Sequence, residues 1–139
     1  KGWSNIHVHC ENAHQIWAPE LNEELGENKL QPNPIPYFLT LQKAEGGRIV
    51  LFDLKWKNGQ SLEKKDNNDF WVVETNGKRI DCSEKGIARM YIDTEPGDML
   101  IFDGGKIWHM VESVTSEHKR VTLGAFLNIK KDESVEIWA

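Results

Sequence analysis

Hydrophobic and polar residues alternate along most of this chain with the two-residue period of β-strands, and long stretches of helical period are absent. Each alternating run is short and is bounded by Gly, Pro or Asn, which is typical of strands joined by turns. The runs predicted as strands are Ile6–Cys10, Tyr37–Gln42, Arg48–Trp56, Phe70–Thr75, Ala88–Ile92, Met99–Phe102, Ile107–Val111 and Arg120–Ile129. A series of short strands and turns of this kind predicts a mainly β domain, a sandwich or a jelly roll.

Three further segments give local predictions. Asn76-Gly77 is a two-residue hairpin signal, so Phe70–Thr75 is expected to pair with Lys78–Asp81. Ala18–Leu30 is predicted to form one short helix, because a proline and several glutamates near its start favour a helix N-terminus. Lys57–Asp69 is polar and charged, and we expect it to be a solvated surface loop.

Length and charge narrow the class of protein. The 139 residues fit one domain, residues 1–139, with no apolar run long enough for a transmembrane helix and no signal-peptide pattern. Two cysteines do not make a disulfide framework, and a formal net charge of −5 disfavours a nucleic-acid-binding surface. We therefore expect a soluble, cytoplasmic protein without nucleic-acid or membrane partners, whose oligomeric state the sequence leaves open.

The first predicted strand places several metal-ligand side chains on one face. Residues two apart on a strand share a face, so His7, His9 and Glu11 point the same way, and Val8 and Cys10 point the other way. His9 and Glu11 with one distant histidine would give two nitrogens and one carboxylate, a set that suits iron(II). His7 and His9 with the same histidine would give three imidazoles, which is closer to a zinc or cupin centre.

The second half of the chain supplies that histidine and a cation. His109 shares a strand face with Ile107 and Val111 and is expected to point inward. Arg120 shares a face with Thr122, and an inward arginine is costly unless it meets an anion, such as a carboxylate bound by its guanidinium fork. The alternative is that Arg120 simply pairs with one of the 22 acidic side chains of the chain.

These motifs together resemble a known enzyme family. The segment Glu95–Val111, followed by Arg120–Phe126, is similar to the second half of the iron(II)/2-oxoglutarate-dependent oxygenases of the prolyl-hydroxylase-like group. In that family a Pro-Gly-Asp strand leads to an iron-binding histidine, and a later arginine holds the distal carboxylate of 2-oxoglutarate. The resemblance implies a double-stranded β-helix (jelly roll) with one or two short helices. It also implies the following site residues: His9, Glu11 and His109 as the catalytic Fe(II) ligands, and Arg120, Thr122 and Tyr37 as contacts of 2-oxoglutarate.

The reaction implied by the resemblance is hydroxylation of an unactivated C–H bond in an amino-acid, peptidyl or small natural-product substrate, with succinate and CO2 as coproducts. The family's carboxylate is usually an aspartate, and Glu11 stands in its place; halogenating members carry glycine or alanine there, so Glu11 favours hydroxylation. The short N-terminus indicates either a piece of a larger catalytic domain that lacks its N-terminal helical part or a minimal domain. The alternative function is a cupin-like or degenerate domain that binds a metal or a small acid without oxygenase activity.

Overall fold

The computed structural model describes residues 6–10, 35–65, 69–129 and 133–138. These residues form strands and no helix, and the helix predicted over Ala18–Leu30 lies outside them. The strands are β1 (Ile6–His9), β2 (Ile35–Gln42), β3 (Ile49–Lys55), β4 (Ser61–Lys64), β5 (Phe70–Val73), β6 (Arg79–Asp81), β7 (Arg89–Ile92), β8 (Met99–Ile101), β9 (Ile107–Val111), β10 (Val121–Ile129) and β11 (Val135–Trp138). The prediction of a mainly β chain is confirmed. No helix in the described part of the chain is long and apolar enough to cross a membrane.

The described strands form three antiparallel sheets. The first sheet has the order β1-β9-β3-β7, the second sheet has the order β11-β10-β2-β8, and the small sheet has the order β4-β5-β6. Two four-stranded antiparallel sheets with short connections are consistent with a β-sandwich.

One face of the first sheet forms the main hydrophobic core with the small sheet. Strand alternation places one set of side chains from β1, β3 and β9 on this face, where they cluster with buried residues of β5 and the segment after β6. The buried members of this cluster are Val8, Cys10, Val50, Phe52, Val72, Cys82 and Trp108. Packing on this face therefore fixes the positions of β1, β3 and β9, and the side chains on their other face are not part of this core.

The opposite face of the first sheet meets the second sheet. The ring of His109, on β9, lies 4.8 Å from that of Phe102, which follows β8, and Phe102 in turn stacks on Phe38 of β2 at 6.2 Å between centroids. Side chains on this inner face are thus shielded by aromatic rings from the second sheet.

The outward face of the second sheet carries apolar side chains that are largely exposed. Met99, Ile101 and Leu123 each expose more than half of their surface. Tyr37 lies on this face, because it pairs with Ala125 and Ile101 and alternates with the inward Phe38.

The hairpin at Asn76-Gly77 is confirmed, with β5 and β6 paired and Gly77 at a φ of 83°. The expectation that Lys57–Asp69 is entirely loop is wrong, because β4 lies within it and pairs with β5. β4 has an exposed, charged surface around the half-buried Leu62, which is typical of an edge strand and masks its alternation. β11 was not predicted and pairs with the end of β10.

Candidate active site

His9 and His109 lie directly opposite each other on neighbouring strands. They are register partners across β1 and β9, and their ring centroids are 4.1 Å apart at an interplanar angle of 56°. Two residues separated by 100 positions in the sequence are thus placed side by side by strand pairing. The structure thus brings together two of the three residues proposed as metal ligands, and their binding of a metal stays a prediction.

The orientation of His109 is determined by its own backbone. Its Nδ1 lies 2.8 Å from the carbonyl oxygen of Ile107, and because a carbonyl only accepts, Nδ1 carries the proton and donates. The lone pair of the neutral ring is then on Nε2, which is the tautomer that a metal ligand needs. His109 is 2% exposed, and the edge contact with Phe102 fixes its ring plane.

The turn before β9 is built around two glycines. A Cβ on Gly104 would lie 2.5 Å from the Cγ of Pro36 and 3.3 Å from the Cε1 of His109, so a side chain at this position would collide with β2 and crowd the imidazole. The thiol of the fully buried Cys10 donates to the carbonyl of Gly105 at 2.9 Å. The end of β1 is therefore attached to the turn that leads into His109.

The third predicted ligand, Glu11, lies outside the described residues, as does the side chain of His7. Among the described residues there is no group of three or more His, Cys, Asp or Glu side chains that could hold a metal ion. The structure therefore brings together His9 and His109, and the carboxylate assigned to them follows His9 by two positions in the sequence.

Arg120 is half-buried in a contact with the loop between β2 and β3. Its Cδ would be 2.8 Å from a Cβ on Gly47, and the same hypothetical Cβ would lie 3.1 Å from Val114, so the arginine stem packs on the bare backbone of Gly47. Burial lowers the pKa of the Arg120 guanidinium below its ordinary value, and no carboxylate offsets this within the described residues. The alternative that Arg120 is committed to a neighbouring acid is thus not supported by any described residue.

Thr122 lies on the inner face of the second sheet, where it is the register partner of the buried Thr40. Tyr37 is not brought to the same place, because its strand parity directs it to the outward face. The structure thus places Thr122 on the inner face of the second sheet and Tyr37 on its outward face.

Three residues that contribute to this arrangement were not assigned a role from the sequence. From the sequence, Cys10 is only a residue that points away from the ligands, whereas in the structure its thiol bonds to Gly105. A Cβ at Gly47 would meet Arg120, and a Cβ at Gly104 would meet His109. The Gly46-Gly47 and Gly104-Gly105 doublets were the available signal, since paired glycines mark close backbone approach.

The donor set and the cation fit the predicted groups. Two imidazoles, one of them in the tautomer that leaves the Nε2 lone pair for a metal, suit a first-row transition metal, and a half-buried arginine without a described acidic partner suits a carboxylate. A paired imidazole site with a separate arginine is compatible with a metal-dependent enzyme that uses an acidic cosubstrate.

Comparison with known families agrees. The family model described as carrier-protein-independent halogenase WelO5 matches residues 2–139, so the chain belongs to this family. The family comprises iron(II)/2-oxoglutarate-dependent enzymes, and its membership places the chain in the broad superfamily of iron(II)/2-oxoglutarate oxygenases. None of the curated proteins compared with the chain matches it.

Proposed function

We propose that the protein is a non-haem iron(II)/2-oxoglutarate-dependent hydroxylase. The observation that carries this proposal is the direct pairing of His9 with His109 on the inner face of the first sheet, with a carboxylate residue two positions after His9. Two histidines and one carboxylate form the set that holds iron(II) and leaves positions for cosubstrate and oxygen.

Each residue has a defined part in this proposal. His9, His109 and Glu11 hold the iron, and Arg120 with Thr122 binds the distal carboxylate of 2-oxoglutarate. Bound iron would allow O2 to oxidise both 2-oxoglutarate and the C–H bond, with one oxygen atom entering succinate, released with CO2, and the other entering the hydroxylated product. Phe102 lies edge-on to the His109 ring and Phe38 stacks on Phe102, and these rings would help to exclude water from the reacting centre.

Glu11 is the reason to propose hydroxylation within a family named for halogenation. By the resemblance described above, halogenating enzymes carry glycine or alanine at this position, which leaves room for a halide on the metal. A glutamate at position 11 would occupy that room. Halogenation is the second candidate, and the observation that favours it is the family match itself.

A halide titration separates these two candidates without knowledge of the substrate. The protein loaded anaerobically with iron(II) and 2-oxoglutarate is titrated with chloride or bromide, and the visible band of the chelate is followed. We expect no halide response in the parent protein and a response in Glu11→Gly, where the position is open. A response of the parent at millimolar halide would favour halogenation.

The ligand set is tested by two alanine variants of the first strand. Iron affinity measured anaerobically is expected to fall strongly in Glu11→Ala and to change little in His7→Ala. The opposite ranking would favour the three-imidazole, cupin-like site in which His7 replaces Glu11.

We also assign the two four-stranded sheets to a double-stranded β-helix, because the chain crosses between them repeatedly. Apart from the small sheet, β1 is in the first sheet, β2 in the second, β3 and β7 in the first, β8 in the second, β9 in the first, and β10 and β11 in the second. The substrate proposed is a small molecule or a peptidyl group. The description of the family as carrier-protein-independent favours a free small molecule.

A further inference from the structure

The loop between β2 and β3 lies against the loop before Arg120. Gly46 forms an isolated β-bridge with Val114. The amide of Gly47 donates to the carbonyl oxygen of Ser113 at 3.1 Å, and the amide of Thr115 donates to the carbonyl oxygen of Glu45 at 2.9 Å. A Cβ on Gly46 would lie 2.3 Å from the Ser113 carbonyl oxygen, so the approach of the two backbones requires glycine there.

Gly47 has a different neighbour. It is buried at a φ of 66°, and the nearest atom to a Cβ at this position is the Cδ of Arg120 at 2.8 Å, followed by Val114 Cγ2 at 3.1 Å and Arg120 Nε at 3.7 Å. Separations below 3.0 Å require displacement, and Val114 bounds the site on a second side. A methyl group at position 47 would therefore move the arginine stem.

Gly47 is connected through strand pairing to the strand that carries His109. Ile49 follows Gly47 by two residues and pairs with Val111, which is itself two residues after His109 on β9. The loop residue that contacts the arginine thus leads directly into β3, which is hydrogen bonded to the strand that carries His109. A displacement of the guanidinium relative to Gly47 is a displacement relative to the metal-binding histidines.

We propose that Gly47 is a positioning residue for the acidic cosubstrate: its missing side chain sets where the Arg120 guanidinium stands. This inference rests on the proposed function of Arg120 as the carboxylate-binding group. Position 47 then controls affinity for a dicarboxylate without touching it, and Gly46 controls only the approach of the two loops.

The test compares Gly47→Ala with a matched control, Gly77→Ala. Gly77 also has a left-handed backbone, at a φ of 83°, but a Cβ there would meet no atom within 4 Å, so it reproduces the backbone strain without the contact. We expect Gly47→Ala to raise the Kd for 2-oxoglutarate about ten- to a hundredfold, the loss of one charge-assisted carboxylate contact. Gly77→Ala is expected to bind like the parent.

A second readout does not depend on iron. In the metal-free protein, the Arg120 Nε–H resonance, assigned by its loss in Arg120→Lys, is expected to shift in Gly47→Ala and to stay in place in Gly77→Ala. Titration with glutarate is expected to move this resonance in the parent at concentrations that leave Gly47→Ala unchanged. The double variant Gly47→Ala with Val114→Ala keeps the contact with Arg120 and is expected to remain impaired; recovery of binding would assign the effect to Val114 and overturn the proposal.

The outcomes separate this inference from the proposed function. A folded Gly47→Ala that binds 2-oxoglutarate like the parent overturns the role of Gly47 and leaves the function intact. A parent protein that binds neither 2-oxoglutarate nor glutarate overturns the function and this role together. If Gly47→Ala does not fold, Val114→Leu replaces it in the test, because a leucine at position 114 crowds the same space from the other side. A glutarate affinity of Val114→Leu equal to that of the parent overturns the proposal.

Discussion

The thiol of Cys10 donates to the carbonyl oxygen of Gly105 across 95 positions of sequence, at a sulfur to oxygen distance of 2.9 Å. The same sulfur lies 3.4 Å from the carbonyl of Gly104. Cys10 directly follows His9, and the glycine turn directly precedes the strand of His109, so this contact joins the two segments that carry the paired imidazoles. The buried thiol therefore fixes the position of His9 relative to His109, and it does so from the face of the sheet opposite to the two imidazoles.

Removal of this donor is expected to reduce stability and metal affinity together. Cys10→Ala leaves buried carbonyl oxygens without the thiol and is predicted to lower the free energy of unfolding by about 1–3 kcal/mol. Cys10→Ser keeps a donor of similar size and is expected to lose less. Denaturant unfolding and iron(II) affinity, measured on both variants, check this; equal iron affinity in Cys10→Ala and the parent would contradict the positioning role.

Arg120→Ala is expected to separate binding from stability. The guanidinium is desolvated without a described anionic partner, so its removal relieves a desolvation cost and forfeits only the packing of its stem on Gly47. We predict a change in the free energy of unfolding below about 1 kcal/mol and a loss of 2-oxoglutarate affinity of about ten- to a hundredfold.

The matched control for Arg120 is Arg48. Its Nε donates to Glu112 at 2.7 Å in an exposed ion pair, so it already has an anion. Arg48→Ala is expected to leave 2-oxoglutarate affinity unchanged in a calorimetric titration. A parallel loss in both variants would indicate a general effect of charge rather than a specific site.

Gln60 is predicted to stabilise the strand of His109 from the side of the main core. Its Oε1 accepts from the indole of Trp108 at 3.0 Å and from the amide of Lys57 at 2.8 Å, and Gln60 is 4% exposed. Gln60→Leu leaves both donors without their acceptor and is expected to cost about 2–4 kcal/mol, whereas Gln60→Glu keeps the acceptor oxygen. Thermal unfolding of the two variants tests the difference; equal melting temperatures for Gln60→Leu and the parent would contradict it.

Cys82 gives the protein a pH dependence in the alkaline range. Burial raises the pKa of its thiol from 9.0 to about 11. Between these values the unfolded chain loses the thiol proton and the folded chain keeps it, so the folded state binds more protons and stability falls as pH rises. This group lowers the free energy of unfolding by at most about 1.4 kcal/mol per pH unit over that window.

The check is the pH profile of unfolding for the parent and for Cys82→Ala. The variant is expected to show a shallower loss of stability between pH 9 and pH 11. The thiols of the native protein are also expected to react slowly with thiol reagents at pH 8, since both cysteines are buried. Identical profiles for the two proteins would contradict the assignment.

Local periodicity was sufficient to predict most strands, whereas the resemblance to a known family was needed to assign His9 and His109 to one site. Strand parity alone put His9 and His109 on inner faces, because a two-residue period leaves only two orientations. Strand parity could not show which face of the sheet carries Tyr37, since Tyr37 and Phe38 are both aromatic and either could face inward. β4 was missed because its edge position lets charged residues stand where a central strand would show alternation.

The contacts that position the site were beyond the sequence for a different reason. The Cys10 to Gly105 bond and the packing of Arg120 on Gly47 join segments that are far apart along the chain. A glycine in the sequence also does not indicate which side chain will occupy the space left by its missing Cβ. Only the register between strands decides such partners, and register was not fixed by the alternation of single strands.

The most direct test of the proposed function is an anaerobic titration of the metal-free protein with iron(II) and then with 2-oxoglutarate, followed by visible absorption, with His109→Ala in parallel. We expect a charge-transfer band of the chelate that appears only after both additions, saturates at one equivalent of 2-oxoglutarate per iron, and is absent in His109→Ala. Tight iron binding without the band, or a band of equal strength in His109→Ala, would contradict it.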